Sequence, residues 1–297
     1  MEKYTKQWSS SNNGGKDCGI LVFLVDKSGS MNELLENGQT RSEMVASVIN
    51  RTIEEIIKRN QQDGKVKDRT RIVIISYSNE VKIEKAGLLT DLFNNPLEVV
   101  EVEQKVPDGN GGLVTIKKKQ RIWTKPIGKD EQGCTCMAEA FAVATRVLKE
   151  VAQPSNPAPI VINISDGWPQ FPIEGIDYTE ENIVEVFSSS IDLTRRCAKD
   201  LTAIETDDGN VLLYNAYIGE GEKILYPNDE KALGSEDIGK GFLFDISSKI
   251  PEPHLRRSTG VKDAAKGLVI NPDEVSFIDF IDFGSRGGEG ALEIKNK

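Results

Sequence analysis

Histidine is almost missing from this chain: His254 is the only one in 297 residues. It sits in Pro251-Glu252-Pro253-His254, a turn-like setting that reads as a surface loop. That scarcity argues against a His-based zinc site and a Ser-His-Asp hydrolase. Cysteine is sparse too, with Cys18, Cys134, Cys136 and Cys197. Cys18 precedes the first expected strand, whereas Cys134 and Cys136 belong beyond the opposite end of the sheet. A strand of about eight residues separates those ends by roughly 25 Å, so buried reduced thiols are expected rather than a zinc site. Positive charge is in deficit, with 37 basic against 47 acidic residues and a net charge of −10. An acidic chain is not steered to nucleic acid or anionic lipid. No apolar stretch approaches the roughly 20 residues that cross a bilayer. Residues 1–19 are polar and hold no signal-peptide core, so the expected location is the cytoplasm. No Gly-Lys pair continues to Ser or Thr after a glycine loop, and no Gly-x-Gly-x-x-Gly occurs. Neither a P-loop nor a dinucleotide fingerprint is supported.

What is present centres on residues 20–31, Ile-Leu-Val-Phe-Leu-Val-Asp-Lys-Ser-Gly-Ser-Met. A short run of branched apolar residues suits a strand buried on both faces. It stops at Asp26, and Ser28 and Ser30 follow around Gly29. One carboxylate and two hydroxyls converging on a small volume are oxygen donors of the kind a hard divalent cation takes. Alone the triplet is weak, because Asp, Ser and Gly also make ordinary turns.

The rest of the chain alternates strands and helices. A polar lead-in over 1–18 precedes the strand at 19–25. Thr40-Arg41-Ser42-Glu43 has the form of a capping box, opening a helix to about Asn60. Residues 71–77 read as a second buried strand and 80–85 as a short edge strand. Residues 97–106 and 113–123 are strand-like around Asp108-Gly109-Asn110-Gly111-Gly112, a hairpin signal. That hairpin predicts Glu103 opposite Lys117 and Glu101 opposite Lys119, with opposite charges meeting across the strands. Internally paired charges explain its lysines better than a nucleic-acid patch does. Helices follow at 135–151 and 180–203, the second capped by Thr179. Strands are expected at 159–165 and 211–218, and an edge strand at 241–246. Asn271-Pro272 is expected to open a last helix to about Phe283, with proline at its first position. The reading is a single α/β domain over 19–284, a doubly wound, mainly parallel sheet with helices on both faces. A β-hairpin is inserted at about 94–127, and a polar tail covers 285–297.

In such sheets ligands bind beyond the carboxyl ends of the strands, where strand order reverses. Asp26 ends the first strand, Asp166 ends the strand at 159–165, and Thr135 opens the helix leading into it. Asp26, Ser28, Ser30, Thr135 and Asp166 therefore fall on one rim, from three separate segments. Turn capping by Asp26 and Asp166 explains each segment singly but not their convergence.

From about residue 19 to 218 the chain resembles a von Willebrand factor A domain, the family that includes integrin I domains. The resemblance rests on Asp26-Lys27-Ser28-Gly29-Ser30, Thr135 in Gly133-Cys134-Thr135-Cys136, and Asp166 in Ile164-Ser165-Asp166-Gly167. Those segments match the family's metal-ion-dependent adhesion site. The resemblance implies that Ser28 and Ser30 bind the metal directly and that Thr135 does so in an engaged state. It implies that Asp26 and Asp166 act chiefly through waters and hydrogen bonds. The expected ion is Mg2+ or Mn2+, with Ca2+ behind them, and an Asp or Glu of a protein partner completes its shell. Intracellular bacterial members are similar in lacking a signal peptide, and some look like partners of kinases, phosphatases or AAA ATPases. The reading is thus a metal-dependent protein-binding module without catalysis. The alternatives are metal-assisted phosphoryl transfer or hydrolysis, and a non-catalytic subunit of an ATPase or kinase/phosphatase assembly. Against phosphoryl transfer, aspartyl-phosphate enzymes need a second acid two residues after the nucleophile, and Ser28 stands there. The hairpin, the Cys-Thr-Cys sequence and the region after 219 depart from the family pattern.

Overall fold

The computed structural model describes residues 18–107, 113–128, 133–170, 183–233, 237–252 and 261–285. Its first strand, β1 (Gly19–Asp26), is buried along nearly its whole length. Helix α1 (Arg41–Arg59) follows, opened by the expected capping box: Thr40 accepts from the Glu43 amide, and Glu43 accepts from the Thr40 amide. Next come β2 (Thr70–Tyr77), β3 (Val81–Leu88) and α2 (Leu89–Asn94). The hairpin strands β4 (Glu98–Pro107) and β5 (Leu113–Ile122) lead to α3 (Met137–Val151) and β6 (Ile160–Ser165). Then follow α4 (Ile183–Thr202), β7 (Leu212–Tyr217), β8 (Ile224–Leu225), α5 (Ile238–Ile246), β9 (Leu268–Ile270) and α6 (Glu274–Ser285).

Seven strands form the main sheet in the order β8-β9-β7-β6-β1-β2-β3. The five inner strands are parallel, and the edge strands β8 and β3 run antiparallel to their neighbours. The alternation of β1 shows why both faces must be covered. Leu21, Phe23 and Val25 join a core with α1 and α6, while Ile20, Val22 and Leu24 join a second core with α3, α4 and α5. Successive strand residues point to opposite faces, so an unbroken apolar run needs helices on each side. This is the doubly wound α/β architecture expected.

Strand order fixes where a site can form. From β1 the chain steps outward to β2 and β3, then returns to the other side of β1 as β6. Connections therefore leave the carboxyl ends of β1 and β6 in opposite directions, opening a crevice between them.

The hairpin forms a separate two-stranded sheet. Its register places Glu101 opposite Lys119 and Glu103 opposite Lys117, as expected. The realised ion pairs include a loose diagonal contact, Lys117 to Glu101 at 3.9 Å, and Lys125 to Glu98 at 2.5 Å. The arm is fastened at its base. Trp123 is fully buried, its backbone amide donates to Asn50 Oδ1 at 2.8 Å, and its Nε1 donates to the Leu92 carbonyl at 2.9 Å. Arg121 pairs with Glu54 of α1 at 3.1 Å.

Several expectations are corrected. Residues 241–246 belong to a helix, α5, because Asp237 caps it by accepting from the Gly239 and Lys240 amides. Pro272 does not open α6: that helix starts at Glu274, and Asp273 Oδ1 accepts from the Ser276 amide at 2.8 Å. The helix expected from Thr135 begins two residues later, at Met137. Strand β9 was not foreseen; it is only three residues long, too short to show a period. His254, Thr179, the 1–17 lead-in, the hairpin turn 108–112 and the tail beyond 285 lie outside the described residues.

Candidate functional site

Four of the five residues singled out by the sequence line one open cleft at the carboxyl rim: Ser28, Ser30, Thr135 and Asp166. The cleft has a volume of about 850 Å³. Asp26 does not line it. That residue is buried beneath, holding the loop above it: Oδ1 accepts from the Ser28 amide at 2.8 Å, and Oδ2 accepts from Ser165 Oγ at 2.7 Å. The Ser165 hydroxyl also accepts from the Gly167 amide at 3.0 Å. One carboxylate thus ties the ends of β1 and β6 together.

Local backbone geometry sets the hydroxyls. After Ser28 the chain enters a single 3-10 turn, Gly29–Asn32, plugged into the core by fully buried Met31. The turn folds the Ser28 and Ser30 side chains to the same side, with their Oγ atoms 3.1 Å apart. The Gly29 amide donates to the Gly133 carbonyl at 3.2 Å, drawing the Thr135 segment against this loop. A Cβ at Gly133 would stand 2.7 Å from Ser78 Oγ, so any other residue there would have to displace Ser78. The Thr135 carbonyl accepts from the Met137 amide at 2.7 Å and the Gln170 amide at 2.9 Å, joining the loops that follow β5 and β6. Gly167 turns with φ of +91°, a conformation L side chains seldom adopt.

The electrostatics are unbalanced. Burial pushes the Asp26 carboxyl up to about 7, and the Asp166 charge adds to the rise; hydrogen bonds from Ser165 and Ser28 oppose it. Burial also raises Asp166, against the Ser30 hydroxyl and the Arg41 charge, which lower it. Asp166 Oδ1 is buried and has no hydrogen-bond partner. A buried acceptor in that condition costs about 1–3 kcal/mol, more when charged. The nearest counter-charge is the Arg41 Nη1, 3.7 Å from Asp166 Oδ2.

The donor set fits a hard cation: two adjacent hydroxyls, a third on the facing loop, and carboxylates at the margin. No cluster of three or more His, Cys, Asp or Glu placed for a metal occurs among the described residues, so a site here is built on hydroxyls. The four cysteines are unpaired, with Cys18 and Cys136 buried and the other two partly so.

Sequence spacing did not find Arg41, Glu33, Asn79, Trp168, Gln170 or Tyr217, which also line the cleft. Trp168 and Gln170 stand just after Asp166, and that adjacency was the one available signal. Tyr217 is fixed from outside the motif, donating to Asp237 Oδ2 at 3.1 Å.

No family model matches the sequence, and no curated protein matches it. Solved structures do. A von Willebrand factor type A protein from Catenulispora acidiphila is 12% identical, with a TM-score of 0.44, over 92% of this chain and 43% of that one. The PilB minor pilin from Streptococcus sanguinis is 11% identical, with a TM-score of 0.47, over 95% of this chain and 64% of the pilin. A manganese-loaded Plasmodium vivax TRAP protein is 13% identical, with a TM-score of 0.42, over 91% of this chain and 74% of that one. The chain therefore spans less than two thirds of the first two. At these identities and scores, nothing about ligand or partner passes from those proteins to this chain.

Proposed function

We propose that the rim cleft holds a divalent cation and that the cation binds an Asp or Glu of a protein partner. The observation carrying this reading is Asp166 Oδ1, a buried carboxylate oxygen without a hydrogen-bond partner beside a hydroxyl-lined cleft. A dication near Ser28 and Ser30 supplies the charge that oxygen lacks. Ser28, Ser30 and, on engagement, Thr135 are its direct ligands; Asp26 and Asp166 act through water and hydrogen bonds. Mg2+ and Mn2+ suit this oxygen set, and Ca2+, which takes six to eight oxygens, suits it less. A cation held mainly by neutral hydroxyls keeps much of its charge, which a partner carboxylate then meets. The net charge of −10 does not prevent this, because surface charge is screened beyond about 10 Å.

The module is read as non-catalytic. Of the cleft's two carboxylates, Glu33 is tied to Arg41 and Asp166 belongs to the proposed site. Acidity turns the partner class away from nucleic acid and anionic membrane, and among the described residues no helix is long and apolar enough to cross a membrane. Four unpaired thiols accord with a reducing cytoplasm. Service as a subunit of a larger ATPase or kinase assembly is compatible with the same cleft.

Calorimetric titration of Mg2+ and Mn2+ into wild type and Asp26→Ala tests the reading. One saturable ion in wild type, lost in the variant, supports it. A folded wild type that binds neither ion ends it.

A further inference from the structure

Arg41 is the least explained group in the cleft. It is the first residue of α1, and the Thr40 cap fixes where that helix starts. The side chain is only 8% exposed, although it lines an open cleft. Its guanidinium is partly satisfied. Nη2 pairs with Glu33 Oε2 at 2.6 Å, and Nη1 donates weakly to the Ser30 carbonyl at 3.4 Å. Asp166 Oδ2 lies at 3.7 Å from Nη1, and Nε is buried with no hydrogen-bond partner. A guanidinium presents Nε–H and one Nη–H as a parallel fork that matches a carboxylate. Here Glu33 takes the Nη2 half and leaves the Nε half unmet.

Glu33 is also a poor permanent partner. Its side chain is 58% exposed, and it caps the 3-10 turn rather than sitting in a helix or strand. Nothing else in the described structure tethers its carboxylate. A carboxylate arriving from outside can take both halves of the fork while Glu33 moves to water.

We infer that Arg41 is a second carboxylate anchor beside the proposed metal position, its Nη1 reaching the carbonyl of Ser30, and that Glu33 holds the partner's place in the unbound protein. The inference rests on the metal–carboxylate reading above and sharpens it. The partner segment then carries two acidic groups, one for the cation and one for Arg41. Trp168, 39% exposed on the same cleft, supplies an apolar wall for the stretch between them. A single acidic residue satisfies the metal alone and leaves the fork with Glu33.

Two capped peptides of equal length test this by NMR titration of the labelled full chain, in Mg2+ and in a chelator: one with a single Asp, one with that Asp and a Glu separated by a short apolar stretch. In Mg2+ the two-acid peptide is expected to bind about tenfold more tightly, the scale of one charge-assisted hydrogen-bonded pair. Glu33→Gln widens that gap by removing the competitor. Arg41→Gln closes it while Mg2+-dependent binding of the single-acid peptide persists. Arg41→Lys keeps the charge beside Asp166 and so guards against misfolding; it narrows the gap because an ammonium cannot form the fork. Equal binding of the two peptides in Mg2+ overturns the anchor and leaves the metal reading standing. Binding that survives chelation and still needs Arg41 supports the anchor and overturns the metal reading. Binding of neither peptide under either condition overturns both.

Discussion

The rim cleft and the β4–β5 hairpin both carry dense polar groups, but they hold them in opposite ways. At the rim Asp26 and Asp166 are buried: Asp26 is fixed by the Ser28 amide and the Ser165 hydroxyl, and Asp166 Oδ1 has no hydrogen-bond partner. On the hairpin the charges face water. Lys117 and Glu101 are each more than 60% exposed and meet at only 3.9 Å. Buried polar groups cost free energy unless paired, whereas solvated ones cost almost nothing. The first arrangement carries a cost that the proposed cation would offset. The second needs no ligand to explain it, and what holds the hairpin is its apolar base.

That contrast can be broken or sharpened by substitution. The largest effect is expected at the hairpin base: Trp123→Ala removes a fully buried indole and its bond to the Leu92 carbonyl, costing about 3–5 kcal/mol in a denaturant titration. A loss under about 1 kcal/mol would mean that the arm is not anchored there. At the rim, Asp26→Asn keeps the shape but removes the charge, and it is expected to weaken Mg2+ binding by about 100-fold, the upper range for an outer-sphere carboxylate. Unchanged affinity would remove Asp26 from the site.

A smaller effect comes through pH. Burial raises the Asp26 carboxyl from the ordinary carboxylate range to about 7 in the metal-free protein. A raised folded-state value means that the group's stability contribution is full below the unfolded value near 4 and is lost as pH rises to about 7. Metal-free wild type should therefore lose stability between about pH 4 and pH 7, and Asp26→Asn should flatten that slope. Metal binding runs the other way, because the cation displaces a proton: Mg2+ affinity should fall by up to about tenfold per pH unit below 7. The smallest effect belongs to the hairpin surface, where Lys117→Ala should change stability by less than about 0.5 kcal/mol. A larger loss would show that the exposed pair matters after all.

Much of the candidate site's placement was legible in the sequence because its residues sit at strand ends, and strand ends are marked by abrupt stops in apolar runs. Asp26 follows six apolar residues, and Asp166 follows a fully buried strand. The helix start at Thr40 was legible because a capping box is local. The hairpin register was legible because the sequence Asp108-Gly109-Asn110-Gly111-Gly112 is a turn signal between two strand-like runs, and the strands pair as that signal implies, Pro107 opposite Leu113. Arg41 was hidden in plain view: it lies inside that capping box, and nothing local tells that its guanidinium turns to the rim. Residues 241–246 misled because a short apolar run has no period of its own, and Asp237, which decides for a helix, lies outside the run. The burial of Asp26 beneath the cleft rather than in its wall depends on how β1 and β6 pair, which no single segment encodes.

Anomalous diffraction from crystals of the full chain soaked in Mn2+ tests the central claim most directly. The account predicts one peak within coordination distance, about 2.0–2.2 Å, of the Ser28 and Ser30 hydroxyl oxygens, with Asp26 and Asp166 reached through ordered water. A cleft with no peak, or a peak held by other side chains, would contradict it.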